Sequence, residues 1–580
     1  MSQIRRHSDT PLTAKVQKRL KNVVKKASYS SRYHELRLKG KHPLRLLGTP
    51  KDPWAGSIAA GSHIISNRFY CEGQILRNPA HDTGAWEGGE IWQVDTLDQK
   101  WAEHLHSFCW LRDLNRVVDR NAARRRAMDL MRHWLAEFDQ WHDLTWSPDI
   151  IGRRIINWMA YAPLILDSND LIYRSKLLNC LARQARHLYH SSDDYGRGLP
   201  RMRAIGGLIL AGLYIPYGEN WLKRGTRLLQ EALTTEILPD GGVASRNPED
   251  LYRILRGLLV VRASYKAMGH DVPSGLTPAL ARMTALLKSL IHGDGRLALF
   301  HGASEQNAQD MAATIAFSDA DADQETGVVC LDGEQSGFRR LEQEGTVIIA
   351  DTGPPAEVEV SYNGHASTLS FELSQGPHRI IVNCGCASSL PDMPDMDLYK
   401  LSRSTAAHST VVLNDKNSSA LRKDGLIGDG PTLVTSDRTE EKGHHLLDMS
   451  HDGYQVRFGV THYRSLYLND TGLDIRGEDR LQRRMLQTSD NLKAPHFDIR
   501  FHVHPDVTVS LQSGDDKVLL RLPNGDYWQF QCAGASLALE ESIYLGEVAR
   551  LQNCRQIVLS GTAADPETVV KWSLRRIERH

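Results

Sequence analysis

The sequence has no run of residues long and apolar enough to cross a membrane as a helix. Its first thirty residues, Met1 to Ser30, are polar and basic and lack the apolar core of a secretory leader. Together these absences exclude a helical membrane protein and give a cytoplasmic location as the expectation. A disulfide framework is also missing. The eight cysteines are scattered, and Cys384-Gly-Cys386 is too tight for a zinc ribbon, so free and mostly buried thiols are expected. Net charge is absent too, 70 basic residues standing against 70 acidic. Residues 1–50 nevertheless hold 13 Lys or Arg and only two acids, Asp9 and Glu35, leaving 57 basic and 68 acidic residues elsewhere, a net of −11. Such a body repels polyanions at long range, which argues against nucleic acid as a partner. An anionic ligand would need a local arginine cluster.

What is present fills more than one core, because 580 residues exceed the size of a single domain. Residues 11–27 read as a basic helix, with Val16, Leu20, Val23 and Val24 on one side and six lysines or arginines around them. Either this segment touches anionic lipid or RNA, or it is a solvated helix packing lightly on the body. With the Gly-, Pro- and Ser-rich stretch at 43–80 it forms a leading segment, residues 1–85. From about residue 95 apolar residues recur at helical spacing: Leu97, Trp101, Leu105 and Phe108, then Met128, Met131, Leu135 and Phe138. Further helices are read near 149–166, 173–190, 201–215, 221–237, 248–268 and 278–291. Ser147-Pro148-Asp149 and Asn247-Pro248-Glu249-Asp250 supply caps, a first-turn proline and first-turn acids. Helices in series without strands imply a toroid, residues 86–303. Residues 304–327 are polar and read as a linker. Residues 328–580 alternate in strand fashion, as in Gly345–Ala350, Arg379–Asn383 and Ser409–Leu413, and predict an antiparallel β-sandwich.

Two histidine segments of the sandwich carry a resemblance. Gly364-His365-Ala-Ser-Thr-Leu-Ser-Phe-Glu-Leu373 and Arg403-Ser-Thr-Ala-Ala-His408-Ser-Thr-Val-Val-Leu-Asn-Asp415 resemble the two signature runs of heparinase II/III-like polysaccharide lyases. The expected fold is therefore α+β multidomain: an incomplete α/α toroid followed by an antiparallel β-sandwich. The resemblance implies β-elimination on uronate-containing acidic polysaccharides. That chemistry neutralises the C6 carboxylate, removes the C5 proton with a base and protonates the departing C4 oxygen. It also implies a structural zinc, with His365 and His408 as metal ligands. The sequence departs from the family's pattern at several points. Asn363 replaces the first histidine of the H-G-H motif, Asn383 the metal carboxylate, Leu199-Pro200 the neutralising Asn-His pair and Asp250 the catalytic tyrosine.

The candidate residues follow. Tyr252 and His408 are the candidates for proton transfer, Tyr252 being alternatively a structural hydroxyl. Arg153, Arg201, Arg203 and Arg246 are candidates for holding a carboxylate in bidentate fashion, and Asn363 is a candidate substrate contact. Trp158 serves as a sugar platform or as core. Asn247 is better explained as an N-cap than as a neutralising amide. His365 and His408 form a shared metal or sugar site, or are buried between sheets; His462, His502 and His504 read as strand residues. Three functions remain open: a lyase acting on an acidic polysaccharide, a non-catalytic glycan-binding or cell-envelope protein that kept the fold, and a paired-carboxylate hydrolase using Asp240 and Asp250.

Overall fold

The computed structural model describes residues 24–577, apart from 72–73, 79–80, 82–83, 95–98, 321–332, 388–395, 485–493, 513, 515–516 and 549. The basic segment expected at 11–27 thus lies mostly outside the described residues; from Val24 onward it is helical. The chain forms two compact units, one of residues 1–236, 253–280 and 317–322, the other of 237–252, 281–316 and 323–580. Segments 237–252 and 281–303, placed above in the toroid, and 304–316, placed in the linker, group with the sheets.

The first unit is the α/α toroid. Its main helices are α1 (Gln99–Ser107), α2 (Arg120–Phe138), α3 (Pro148–Ala160), α4 (Leu171–His190), α5 (Leu199–Tyr214), α6 (Glu219–Thr235) and α7 (Pro248–Ala267). Helices α2 and α4 start where a side chain accepts an orphan amide, Asp119 from Ala122 N and Asp170 from Tyr173 N. Trp134 and Trp158 meet edge to face, 5.3 Å between centroids, at the centre of the aromatic core.

Helices α3 and α5 cross without side chains between them. A Cβ on Gly207 would stand 2.4 Å from the Cα of Gly152, and one on Gly152 would stand 2.2 Å from the carbonyl oxygen of Arg203. Main chain touches main chain, so Arg153 and Arg203, next to these contacts, are set by backbone geometry. Gly207→Ala is expected to cost about 1–3 kcal/mol through overpacking, read as a lower thermal midpoint. An unchanged midpoint would show that the crossing relaxes.

The second unit opens with α8 (Leu276–Ser289), which the partition shares with the first, and α9 (Ala308–Asp319). Helix α9 corrects the linker expected at 304–327. Asn307 accepts from Gln309 N and Asp310 N at its start, and Met311, Thr314 and Ser318 are buried.

The sandwich consists of two antiparallel sheets. One holds, in order, β13 (Thr508–Leu511), β14 (Lys517–Arg521), β15 (Tyr527–Ala533), β18 (Glu567–Ile577), β11 (Asp474–Arg483), β10 (Val460–Leu468), β9 (His444–His451) and β8 (Val434–Glu441). The other holds β16 (Ser536–Tyr544), β17 (Gln552–Thr562), β12 (His496–Val503), β6 (His378–Val382), β5 (Phe371–Gln375), β4 (Thr346–Asp351) and β3 (Phe338–Gln343), with β7 (Val411–Leu413) paired to β12. Away from the sandwich, Phe69–Cys71 and Gln74–Leu76 form a small hairpin, β1 and β2. Strict alternation along β10 turns Val460, Leu466 and Leu468 into the common core with Phe371, Phe501 and Trp572. Arg464 crosses this core. It forms an ion pair with Asp479 at 2.7 Å and donates to the carbonyls of Leu369 and Ser409 at 2.9 and 2.7 Å, joining the two layers.

Candidate functional site

The two histidine segments meet as the resemblance implied, each placed just before a strand, β5 or β7. His365 Nδ1 lies 2.9 Å from His408 Nε2, and both rings are buried. The hydrogen-bond pattern assigns the protons. His408 Nδ1 donates to the carbonyl of Ser404 at 2.7 Å, so its Nε2 accepts from His365 Nδ1. His365 Nε2 is left with a lone pair and no hydrogen-bond partner among the described residues.

The same chain of bonds continues into a buried ion pair. The backbone N–H of His365 donates to His301 Nδ1, and His301 Nε2 lies 3.2 Å from Asp351 Oδ2. Asp351 also accepts from Ser367 Oγ at 2.6 Å and pairs with Arg246 Nη2 at 2.5 Å. Burial alone would raise the Asp351 carboxyl; Arg246 and His301 overcome this and hold it far below the usual carboxylate range. Arg246 has a left-handed φ of 57° and also donates to the carbonyls of Ser336, Gly337 and Pro354. Its guanidinium is spent inside the fold, so Arg246 is corrected from substrate contact to structural counter-ion.

Zinc does not fit the donors present. Asn383 Oδ1 accepts from Ser409 N at 3.0 Å and Nδ2 donates to the Leu299 carbonyl at 3.3 Å, so the amide oxygen is occupied as well as weak. His408 uses both ring nitrogens in hydrogen bonds. One free lone pair, on His365, is short of the three or four ligands zinc requires. Among the described residues no group of three His, Cys, Asp or Glu is arranged to hold a metal.

The remaining expectations divide. Tyr252, at 1% exposure, is sealed in the interior, which leaves its phenol out of reach of a polymer. Asn247 is the N-cap of α7, accepting from Glu249 N at 2.7 Å. Asp250 takes the Ser245 hydroxyl and Asp240 the amides of Gly242 and Ser336, so both carboxylates serve turns. Asn363 stays half-exposed beside Gly302. On the outer face of the second sheet a groove of about 980 Å³ is lined by Arg500, His502, His504, Ser542, Cys554 and Arg555, with no tyrosine, tryptophan or phenylalanine for a sugar ring.

In the helical unit Trp158 is corrected from platform to core, 1% exposed against Phe108 and Trp134. Arg154 beside it is fully buried, bonded to Gln184 and to the carbonyls of His106 and Thr145. Arg201 is tied with Arg197 to the buried carboxylate of Glu236, which also accepts from Gly198 N and so fastens the start of α5. Arg203 behaves differently. Burial together with the positive charges of Arg153 and Arg253 pushes its pKa down to about 9, with Asp149 and Glu103 opposing them. Arg153 and Arg203 make no side-chain hydrogen bond or ion pair with the described residues. The like charges of Arg153 and Arg253 act on Arg203 against the carboxylates of Asp149 and Glu103. Arg253 has no motif around it; Arg153, Arg203 and Arg253 lie on three helices and only folding gathers them.

A helical toroid combined with a two-sheet sandwich carrying paired histidines defines the polysaccharide-lyase fold class. Residues 330–573 match the family described as heparinase II/III-like, C-terminal. The crystal structure of heparinase III superposes with a TM-score of 0.72 at 12% identity, covering 94% of this chain and 89% of that one. A heparan sulfate lyase HepC mutant from Pedobacter heparinus gives 0.62 at 15% identity, covering 90% and 83%. At such identities the likeness is one of fold. In sequence the chain is 29% identical over 570 residues to FtsZ-localized protein C of Caulobacter vibrioides, covering 96% of this chain and 94% of that protein.

The buried histidines make stability depend on pH. Burial lowers His408 from 6.5 to about 4, and lowers His301 and His365 as well. The unfolded chain takes up these protons below about pH 6.5, so stability falls as pH drops from there toward the folded values. His408 alone accounts for about 2 kcal/mol by pH 5. The unfolding midpoint is expected several degrees lower at pH 5 than at pH 7; equal midpoints would refute the neutral histidine pair.

Proposed function

We propose that this chain is a non-catalytic, heparinase-fold protein of the bacterial cell envelope, working at the division site and binding an acidic glycan through Arg153, Arg203 and Arg253. The observation that carries this reading is how the candidate groups are used. Arg246, Tyr252 and His408 are committed to internal bonds or sealed in the interior, whereas Arg203 has the like charges of Arg153 and Arg253 beside it. An apparatus for elimination needs a base, an acid and a carboxylate neutraliser at one accessible place. Binding needs only the last.

The division-site part of the reading rests on the full-length similarity to a protein named as FtsZ-localized. Eliminative cleavage of uronate polysaccharides is the rival, supported by the likeness in fold to heparinase III. A panel of uronate polysaccharides incubated with the pure protein separates the two. Expected is no rise in ultraviolet absorbance from unsaturated product on any polymer, with at least one polymer bound. Arg203→Ala should weaken that binding by about tenfold or more at an unchanged melting midpoint. An absorbance rise with any polymer would establish the lyase instead.

In this reading the basic segment 11–27 supplies contact with an anionic lipid surface. The full chain is expected to sediment with phosphatidylglycerol vesicles. Replacing Lys15, Lys18 and Arg19 by Glu should abolish sedimentation, and an unaffected triple variant would remove that role from the segment.

A further inference from the structure

Outside the residues considered so far, one cluster has a chemistry of its own. Helix α1 ends in a turn at Phe108, whose φ of 58° is left-handed although it is not glycine. The strain, about 1 kcal/mol or more, is held by burial of the ring at 0% exposure among Trp92, Trp110, Trp134 and Trp158. The turn folds the next residue back along α1. Cys109 Sγ thereby lies 3.1 Å from His104 Nδ1 and 3.5 Å from the His104 carbonyl oxygen. As a whole the residue is half-buried.

We propose that Cys109 is a reactive nucleophilic thiol, activated by His104, that peroxides oxidise to the sulfenic acid. The groups facing it are His104 on α1, the Ser107 hydroxyl in the same turn, Arg153 on α3 and, across the imidazole, Cys71 on β1. Burial raises the Cys109 thiol, and the His104 imidazolium, seconded by Arg153, more than reverses this and brings it to about 6. Burial lowers His104, and the sulfurs of Cys109 and Cys71 outweigh it, leaving the ring protonated. The proton therefore sits on nitrogen and the charge on sulfur. Burial has the opposite outcome at Cys180, Cys384 and Cys554, pushed up to about 11, 12 and 11.

In the reaction the thiolate sulfur attacks one oxygen of hydrogen peroxide. The S–O bond forms as the O–O bond breaks, the sulfur losing two electrons and the peroxide gaining them. The hydroxide that leaves takes the His104 proton and departs as water.

The test follows alkylation of each cysteine in the full-length protein by iodoacetamide, using peptide mass spectrometry between pH 5 and 9. Cys109 is expected to react at least tenfold faster than half-buried Cys532 at pH 6.5, with half-maximal rate near pH 6. His104→Gln should move that midpoint into the ordinary thiol range and slow the reaction at pH 6.5 about tenfold. Brief hydrogen peroxide followed by dimedone should label Cys109. The proposal is overturned if Cys109 reacts no faster than Cys532 at pH 6.5, or if no dimedone adduct forms on it. Should His104→Gln fail to fold, the wild-type pH profile and the dimedone label decide the matter alone.

Discussion

A carboxylate with no access to water must find positive charge and hydrogen-bond donors inside the protein, and Asp351 meets this demand by drawing in four segments of the sandwich unit. Arg246 arrives from the turn before α7, His301 from the chain preceding α9, Ser367 from the stretch after His365, and Gly353 N from its own turn. Removing one member of such a set leaves a buried charge unpaired, a loss on the order of 3–5 kcal/mol. The arrangement also explains what became of the expected chemistry. An arginine suited to a uronate carboxylate is neutralising one that belongs to the protein. The histidine pair shares in the same bonded chain.

The helical unit shows the complement. Arg154 is as buried as Asp351, yet it is satisfied by carbonyls and an amide instead of an opposite charge, and burial takes its pKa down to about 9. Arg203 reaches a similar value, with burial again the largest cause and two further guanidiniums adding to it. The first arrangement is a closed structural knot. The second sets like charges beside one another, with Asp149 and Glu103 opposing them.

Much of the architecture could be read from periodicity. The helical spacing at 95–291, the alternation after 328 and the cap at Asn247 all recur in the fold, and the two histidine segments brought His365 and His408 together. What the sequence hides is partnership at long range. Arg246 and Asp351 are 105 positions apart, and nothing near either signals the other. Trp158 lies on an amphipathic helix, where a sugar platform and a core residue look alike until Phe108 and Trp134 are seen against it. Helix α9 was hidden because polar Thr314 and Ser318 take buried positions where an apolar face would have signalled a helix. His104 and Cys109 are five apart, a separation without meaning on a regular helix, and only the left-handed turn at Phe108 gives them contact.

The bare crossing of α3 over α5 has a consequence for exchange. Since Gly152 and Gly207 press backbone on backbone, a methyl group added at either position would have to spread the two helices. The spacing of this helix pair is thus held by the two residues in it that carry no side chain.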